Sequence, residues 1–330
     1  MARVFSGIQP SGELHIGNYL GAVQNWVRLQ HQHDCLFSVV DLHAITQAYE
    51  PATLSQRTLD MAVGLFASGL DPERAIVFVQ SHVPEHTELN WLLNTVTPLG
   101  ELERQTQFKD KAQRQASVPA GLLNYPVLQA ADVLLYEATL VPVGEDQLQH
   151  LELMRKIARR WNSRFADDFA FPEPQALLST AKRVLGLDGQ AKMSKSLGNT
   201  IGLFEPAETI WEKLKPAATD PARVTRKDPG NPDVCNIFTI HQGFSPPDTL
   251  KQVAHNCRTA GWGCLDCKRV LADNMIAALT PIRERAEGLR TEPRRVMDLL
   301  RGGATKARAI ARRTMGHVRR RMGFLAEAEG

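Results

Sequence analysis

Three short apolar runs separated by helical stretches fill the first eighty residues of this 330-residue chain, and they leave few architectures open. Val4-Phe5-Ser6-Gly7-Ile8 reads as a strand, and Gln9-Pro10-Ser11-Gly12 as the turn that ends it. Leu20, Val23, Trp26, Val27 and Gln30 then follow a helical period. Leu36–Val40 is a second buried strand, a helix begins near Pro51 and stops at Gly69, and Ala75–Val79 is a third strand. Apolar strands alternating with helices build a parallel sheet with helices on its faces, because each parallel crossover must leave the sheet and return. The expected fold class is α/β, a Rossmann-like doubly wound parallel sheet.

Residues 85–136 read as a mostly helical insertion broken at Pro98, Pro119 and Pro126. Leu140–Val143 restores strand character, an amphipathic helix runs from Gln147 to Trp161, and Pro172 and Pro174 mark a loop. A second irregular stretch spans Gly186-Leu187-Asp188-Gly189, and beyond Pro206 the pattern is helical to the end. The last helix carries an apolar stripe through Val296, Leu299, Leu300, Ala307, Ile310, Ala311, Met315, Val318 and Met322. Two domains are expected: a sheet domain over 1–202 and a helical domain over 203–330.

The net charge of +3 conceals an asymmetry. Between Arg294 and Arg321 ten Lys/Arg face one acid, Asp298, a surplus of nine, so the remaining residues carry −6. A basic segment on an acidic body fits either a polyanion contact or a solvated helical face. No signal-peptide pattern opens the chain, and Asp132 and Glu137 interrupt the best apolar run, so a cytoplasmic protein without a membrane span is expected. Cys235, Cys257, Cys264 and Cys267 fall within 33 residues, separated by 21, 6 and 2. In a reducing compartment such a cluster suits structural zinc or a 4Fe–4S cluster, and spacing leaves both open.

Two motifs carry chemistry. Pro10-Ser11-Gly12-Glu13-Leu14-His15-Ile16-Gly17-Asn18 lies between the first strand and first helix, where free N–H groups and the helix dipole favour phosphate. His15 and Asn18 add donors there. Lys192-Met193-Ser194-Lys195-Ser196 follows the Asp188-Gly189 turn, and two lysines on a mobile loop neutralise charge on departing pyrophosphate. A third feature is Asp132 in the run Ala130-Ala131-Asp132-Val133-Leu134-Leu135, where a carboxylate is costly unless donors satisfy it.

Together the two motifs resemble the class I aminoacyl-tRNA synthetases, with their His-Ile-Gly-His-like signature and Lys-Met-Ser-Lys-Ser loop. Asn18 in place of a second histidine is usual in the tryptophanyl members. Gly7–Gly12, Tyr125–Asp132 and Val141–His150 are similar to that branch as well, and the resemblance is tightest over residues 3–200. It implies a catalytic sheet domain, a helical tRNA- and anticodon-binding domain, and ATP-dependent attachment of L-tryptophan to tRNA(Trp) through an adenylate. Tyrosyl-type synthetases share the fold but differ at the side-chain pocket, and a paralogue that binds RNA or nucleotide without aminoacylating is the rival of another class.

The resemblance also assigns residues. His15, Asn18, Lys192 and Lys195 are expected to do the phosphate work. ATP, bound with Mg2+, is expected against Gln9, Pro10, Ser11, Gly17, Asn18, Gly144, Glu145, Asp146, Val184, Lys192, Met193, Ser194, Lys195 and Ser196. Tryptophan is expected against Asp132 as indole acceptor, with Phe5, Tyr125, Gln129, Val141, Val143 and Gln147 around it. Gln129 stands where some members have methionine. A bacterial subset holds a 4Fe–4S cluster on a cysteine pattern whose first gap is one residue longer, which makes Cys235, Cys257, Cys264 and Cys267 the expected ligands, with zinc or unliganded thiols as the alternatives. A homodimer is implied; membrane and DNA partners are not.

Overall fold

The computed structural model describes residues 1–113, 117–178, 184–194 and 197–325, with Glu145 described by its backbone alone. Five strands, β1 (Arg3–Ile8), β2 (Asp34–Val39), β3 (Ala75–Val79), β4 (Leu140–Val143) and β5 (Gln175–Leu178), form one sheet in the order β3-β2-β1-β4-β5. Every pairing is parallel. Leu36 and Phe37 are both fully buried, so helices cover both faces of β2, as a parallel sheet requires. The expected α/β class is the observed one.

Chain order reverses between β1 and β4, and there the ladder is weakest. Those two strands are in register through the single pair Val4↔Leu140, and Pro142 in β4 lacks the N–H that a ladder needs. Beyond that pair no ladder joins them, which leaves a crevice at the carboxyl ends of the strands, the usual place for a ligand in an open sheet.

Local chemistry explains most of the helices. In the helix Pro51–Ala67 the Glu50 side chain accepts from the Ala52 N–H, Pro51 takes the first position, and Gly69 at φ +109° turns the chain away. Three expectations needed correction. The first helical segment is split by a π-helical turn, Tyr19–Val23, between Ile16–Asn18 and Gln24–Leu29. The helix Ala120–Leu134 continues through Pro126 instead of breaking, because Leu122, Tyr125, Val127, Leu128 and Ala130 are buried around it. Burying those side chains outweighs the ~3 kcal/mol of an interior proline. Strand β5 follows Pro172 and Pro174, where only a loop was expected; it lies at the sheet edge, where prolines are tolerated.

Beyond residue 206 the regular elements of the described residues are helices, of which Cys264–Thr291 and Pro293–Arg321 are the longest. A fourth departure from expectation is the irregular stretch 215–235 between Ala207–Leu214 and Asn236–Phe244, where Pro221, Pro229, Gly230 and Pro232 break the helical pattern. Among the described residues no helix is long and apolar enough to cross a membrane. The cores do not divide at residue 202. Leu271, Met275 and Val296 share one hydrophobic cluster with Val4 and Trp26, while Ala307, Met315 and Val318 share another with Phe5 and Trp161.

The terminal helix packs on β3, and six of its ten cations reach the sheet body. Arg312 meets Glu85 at 3.4 Å, Arg313 meets Glu137 at 3.4 Å, Arg319 meets Glu88 at 2.6 Å, and Arg321 meets Asp168 at 2.8 Å. Lys306 and Arg308 donate to the Pro72 and His82 carbonyls. The charge asymmetry is thus largely answered inside the molecule.

Gly303 makes this docking possible: it lies against the Val77 backbone, and a β-carbon there would stand 2.8 Å from the Val77 carbonyl carbon and closer still to its oxygen. Gly303→Ala tests it. In an unobstructed helix the change stabilises by about 1 kcal/mol; here the overlap should destabilise by roughly 1–3 kcal/mol. A raised thermal midpoint would refute this close packing.

Candidate active site at the strand ends

The turn after β1 is built for an anion. Ser11 N–H bonds the Gln9 carbonyl at 2.8 Å, and Gly12 sits at φ +136°. His15 then caps the helix: its Nδ1 accepts from the N–H groups of Gly17 at 3.1 Å and Asn18 at 3.3 Å, while Asn18 Oδ1 accepts from the His15 N–H at 3.3 Å. This reciprocal pair sets both side chains chemically. With Nδ1 an acceptor, the neutral ring carries its proton on Nε2, and with Oδ1 occupied, Asn18 offers its NH2 as a donor.

The two motifs, nearly 180 residues apart in sequence, meet here. His15 and Gly202 form an antiparallel bridge, with Ile16 N–H to Ile201 O at 3.0 Å and Leu203 N–H to Leu14 O at 2.8 Å. A β-carbon at Gly17 would lie 3.0 Å from the His15 ring and 3.2 Å from Met193 sulfur, so glycine allows the loop to close on the helix. The loop is a hairpin joined at Leu185↔Lys192. Asn199 braces it from within, accepting from Ser194 N–H at 2.8 Å and donating to Asp188 at 2.9 Å. Lys192 is exposed, Met193 buried, and Val184 half-buried at the hairpin base. Lys195 and Ser196, both expected at the phosphates, lie outside the described residues.

The second half of the site surrounds Asp132. Tyr125, Gln129 and Asp132 stand four and three residues apart on one helix and so share a face. Asp132 is 2 % exposed, and three donors hold it: His43 Nε2 at 2.8 Å on Oδ2, with Gln80 Nε2 at 2.6 Å and His86 Nδ1 at 2.7 Å on Oδ1. Burial pushes the carboxyl up, but attraction to His43 and the bonds from His43 and His86 outweigh it and hold the group well below the usual carboxylate range. Tyr136 hydroxyl lies 2.8 Å from His86 Nε2 and is held protonated, first by burial and then by the Asp132 and Glu85 charges. The proton order is therefore Tyr136 O–H to His86 Nε2, and His86 Nδ1–H to Asp132. A carboxylate has about four lone-pair sites, so one remains, on the oxygen that faces His43.

Val141 and Val143 lie on one face of β4 and belong with Phe5 of β1 to one hydrophobic cluster, and Phe5 stacks on Tyr136 at 5.5 Å. Tyr125 hydroxyl is 3.0 Å from His150 Nε2 and 3.3 Å from Gln107, and Lys111 lies 4.7 Å above its ring. Gly144 leads into the turn Glu145–Gln147, where Gln147 donates to the exposed Asp146 carboxylate at 3.0 Å. His43, Gln80, His86, Asn199, Gln107 and His150 were not foreseen. The one signal for them is position: Gln80 directly follows β3, and His43 comes four residues after β2.

The four clustered cysteines line one cavity together with Arg223, Trp262 and Val253. Arg223 directs an N–H to Cys264 sulfur at 3.9 Å and anchors itself on Trp262 O at 2.6 Å. Burial, then the neighbouring Cys235, Cys257 and Cys264, push the Cys267 thiol up to about 12. Among the described residues no three His, Cys, Asp or Glu side chains are gathered closely enough to hold a single metal ion.

His150 gives the site a pH signature. Burial, and then the Lys111 charge, hold it down to about 4. An unfolded histidine takes its proton near 6.5, so from about 6.5 down to about 4 the unfolded chain binds more protons. Stability from this group is therefore complete above 6.5, falls on acidification, and stops falling below about 4. Urea midpoints measured across that window should drop, and His150→Gln should flatten the slope; an unchanged slope would refute the assignment.

Residues 1–280 match the family model described as tRNA synthetases class I (W and Y). The chain is 58 % identical over 330 residues to the tryptophan–tRNA ligase of Deinococcus radiodurans, covering 98 % of this chain and 99 % of that one. It is 44 % identical over 329 residues to the tryptophan–tRNA ligase of Thermotoga maritima, covering 98 % and 99 %. The crystal structure of tryptophanyl-tRNA synthetase from Campylobacter jejuni with ADP and tryptophan superposes with a TM-score of 0.86 at 36 % identity, covering 98 % of this chain and 100 % of that one. Sequence, fold and strand-end site thus agree, and the chain belongs to the class I tRNA synthetases of the tryptophan and tyrosine branch.

Proposed function

We propose that this chain is a tryptophan–tRNA ligase that activates L-tryptophan with ATP and transfers it to tRNA(Trp). The full-length identity to tryptophan–tRNA ligases carries the reading, and the Asp132 network supports the choice of amino acid. In the first step a carboxylate oxygen of tryptophan attacks the α-phosphorus of ATP in line, the bond to the bridging oxygen breaks, and pyrophosphate leaves. In the second, the terminal ribose 2′-hydroxyl of the tRNA attacks the adenylate carbonyl and AMP leaves. No covalent enzyme intermediate is needed; positioning and charge do the work.

The single open lone pair of Asp132 accepts the indole N–H. Phe5, Gln129, Val141 and Val143 wall the ring, and Tyr125 and Gln147 face the amino-acid head. A site that demands a buried donor rejects a side chain lacking one without an editing domain. Gln9, Pro10, Ser11 and Gly17 shape the nucleotide turn, and Gly144, Glu145 and Asp146 face the ribose. Val184 and the Lys192–Ser196 loop close over the phosphates, where His15 Nε2–H and Asn18 NH2 donate and Lys192 and Lys195 supply positive charge. Mg2+ supplies charge neutralisation on the triphosphate when bound. Residues 1–202 form the catalytic part and 203–330 the part that meets tRNA, and the enzyme acts in the cytoplasm as a homodimer; its mass in solution tests the last point.

Pyrophosphate exchange into ATP, assayed with each of the twenty amino acids, tests activation. Exchange should occur with tryptophan alone. Lys192→Ala should lower its rate roughly 100-fold, as for a lost transition-state contact, and Asp132→Asn should raise the tryptophan KM with a smaller effect on ATP. Exchange with tyrosine would favour the tyrosyl-type reading, and none at all the RNA-binding paralogue.

For the thiol cavity we favour a 4Fe–4S cluster over zinc. Zinc gathers four sulfurs about 2.3 Å from one point, whereas each iron of a cubane takes its own thiolate, which suits thiols spaced around a cavity. Cys235, Cys257, Cys264 and Cys267 would hold it, with Arg223 N–H directed at a ligand sulfur. Elemental analysis of anaerobically purified protein should find iron and sulfide and little zinc; stoichiometric zinc would reverse the assignment.

A further inference from the structure

The hairpin that carries Lys192 is held from outside by two residues, each the direct chain neighbour of a cavity cysteine. Asn236 follows Cys235, and its Nδ2 donates to Gly186 O at 2.9 Å and Leu185 O at 3.3 Å. Both hydrogens of that amide are thereby used, in a residue 9 % exposed. Lys268 follows Cys267, is 5 % exposed, and donates to Ala217 O at 2.6 Å and Lys215 O at 2.8 Å. That segment in turn grips the hairpin, with Ala218 N–H on Leu187 O at 2.8 Å. Leu185 pairs with Lys192 itself, and Gly186 N–H bonds Ala191 O at 2.8 Å.

Two short paths thus run from the thiols to the loop: Cys235–Asn236–Gly186 and Cys267–Lys268–Ala217–Ala218–Leu187. In each path the side chain that bridges the segments is buried and makes two hydrogen bonds at its end, which limits how far it can absorb a displacement. N–H···O bonds favour roughly 2.7–3.2 Å and near-linear geometry, so a displacement of the segments that carry the thiols is passed to the carbonyls at the base of the hairpin. We propose that Asn236 and Lys268 are positioning residues that couple the four-cysteine cavity to the Lys192 loop, so that a filled, rigid cavity holds the loop in its ATP-binding place. This rests on the reading of Lys192 as a phosphate-binding residue. Coupling between two binding sites is reciprocal, so ATP at the loop must in turn tighten the cavity.

The full-length protein, as purified with its metal, is labelled with N-ethylmaleimide with and without ATP, and modification of Cys235, Cys257, Cys264 and Cys267 is counted by peptide mass spectrometry. ATP should slow labelling severalfold in the parent protein and leave the rate unchanged in Asn236→Ala. In pyrophosphate exchange that variant should raise the ATP KM about tenfold, as for two lost neutral hydrogen bonds, with the tryptophan KM unmoved. A purely structural role would move both KM values together. Asn236→Asp keeps the size but turns an oxygen on both carbonyls, and should behave as the alanine variant does if that one folds poorly. Lys268→Met should show the same loss of ATP protection.

ATP protection equal in parent and variants, or a parallel rise of both KM values, overturns the coupling while leaving catalysis intact. Exchange that survives Lys192→Ala overturns the role of the loop, and the coupling with it.

Discussion

Asp132 is an ionised group inside an apolar helix, and much of the molecule is arranged around that contradiction. Its three donors come from different places: His43 after β2, Gln80 at the end of β3, and His86 from the helix that follows. Removing any one would leave a buried carboxylate short of a donor, at a cost of about 1.5–3 kcal/mol. The network therefore fixes how the helix Ala120–Leu134 lies over the strand ends. It also sets Tyr136, on which Phe5 stacks, and through Glu85 it touches the terminal helix. What remains is one acceptor position in a rigid, dry setting, which suits recognition of a single N–H without reorganisation on binding.

The phosphate half is built on the opposite plan. Among the described residues no buried carboxylate stands at its centre. His15 and Asn18 are set by a reciprocal cap of two side chains, and the lysine loop joins them through a backbone bridge and a glycine contact. Lys192 is exposed. The difference follows the chemistry. Selecting an amino acid needs a pocket already formed, whereas pyrophosphate must depart, and the charge that receives it must be able to release it.

What the sequence disclosed and what it hid divide along the same physical line. Strands β1 to β4, the helix Pro51–Ala67 and the buried carboxylate were legible, because each is written in neighbouring residues: apolar runs, a proline start, a glycine stop, an acid among alanines and leucines. The partners of Asp132 were not, because they stand 89, 52 and 46 residues away and each alone is an ordinary polar side chain. Strand β5 escaped for a different reason. It has four residues, two prolines precede it closely, and it lies at the edge of the sheet, so the burial that marks inner strands is missing. Pro126 misled in the other direction, since a local rule for helix breaking yields to burial that only the fold supplies.

The basic terminal helix is the clearest case of a local reading overtaken by tertiary structure. Its ten cations left an external polyanion and a solvated face both open, yet most of them bond acids and carbonyls of the sheet body more than 150 residues distant in sequence. In each of those ion pairs at least one partner is more than 40 % exposed, and such pairs contribute about 0–1 kcal/mol each. The apolar side of the helix is another matter: Val296, Ala307, Ala311 and Val318 are fully buried, and Gly303 rests on the β3 backbone. Burial therefore holds the helix, and the arginines choose its register and orientation by penalising placements that would leave Glu85, Glu88 or Glu137 facing apolar surface. Charge here specifies and burial stabilises, so a net surplus of nine positive charges can sit on an acidic body without implying a ligand.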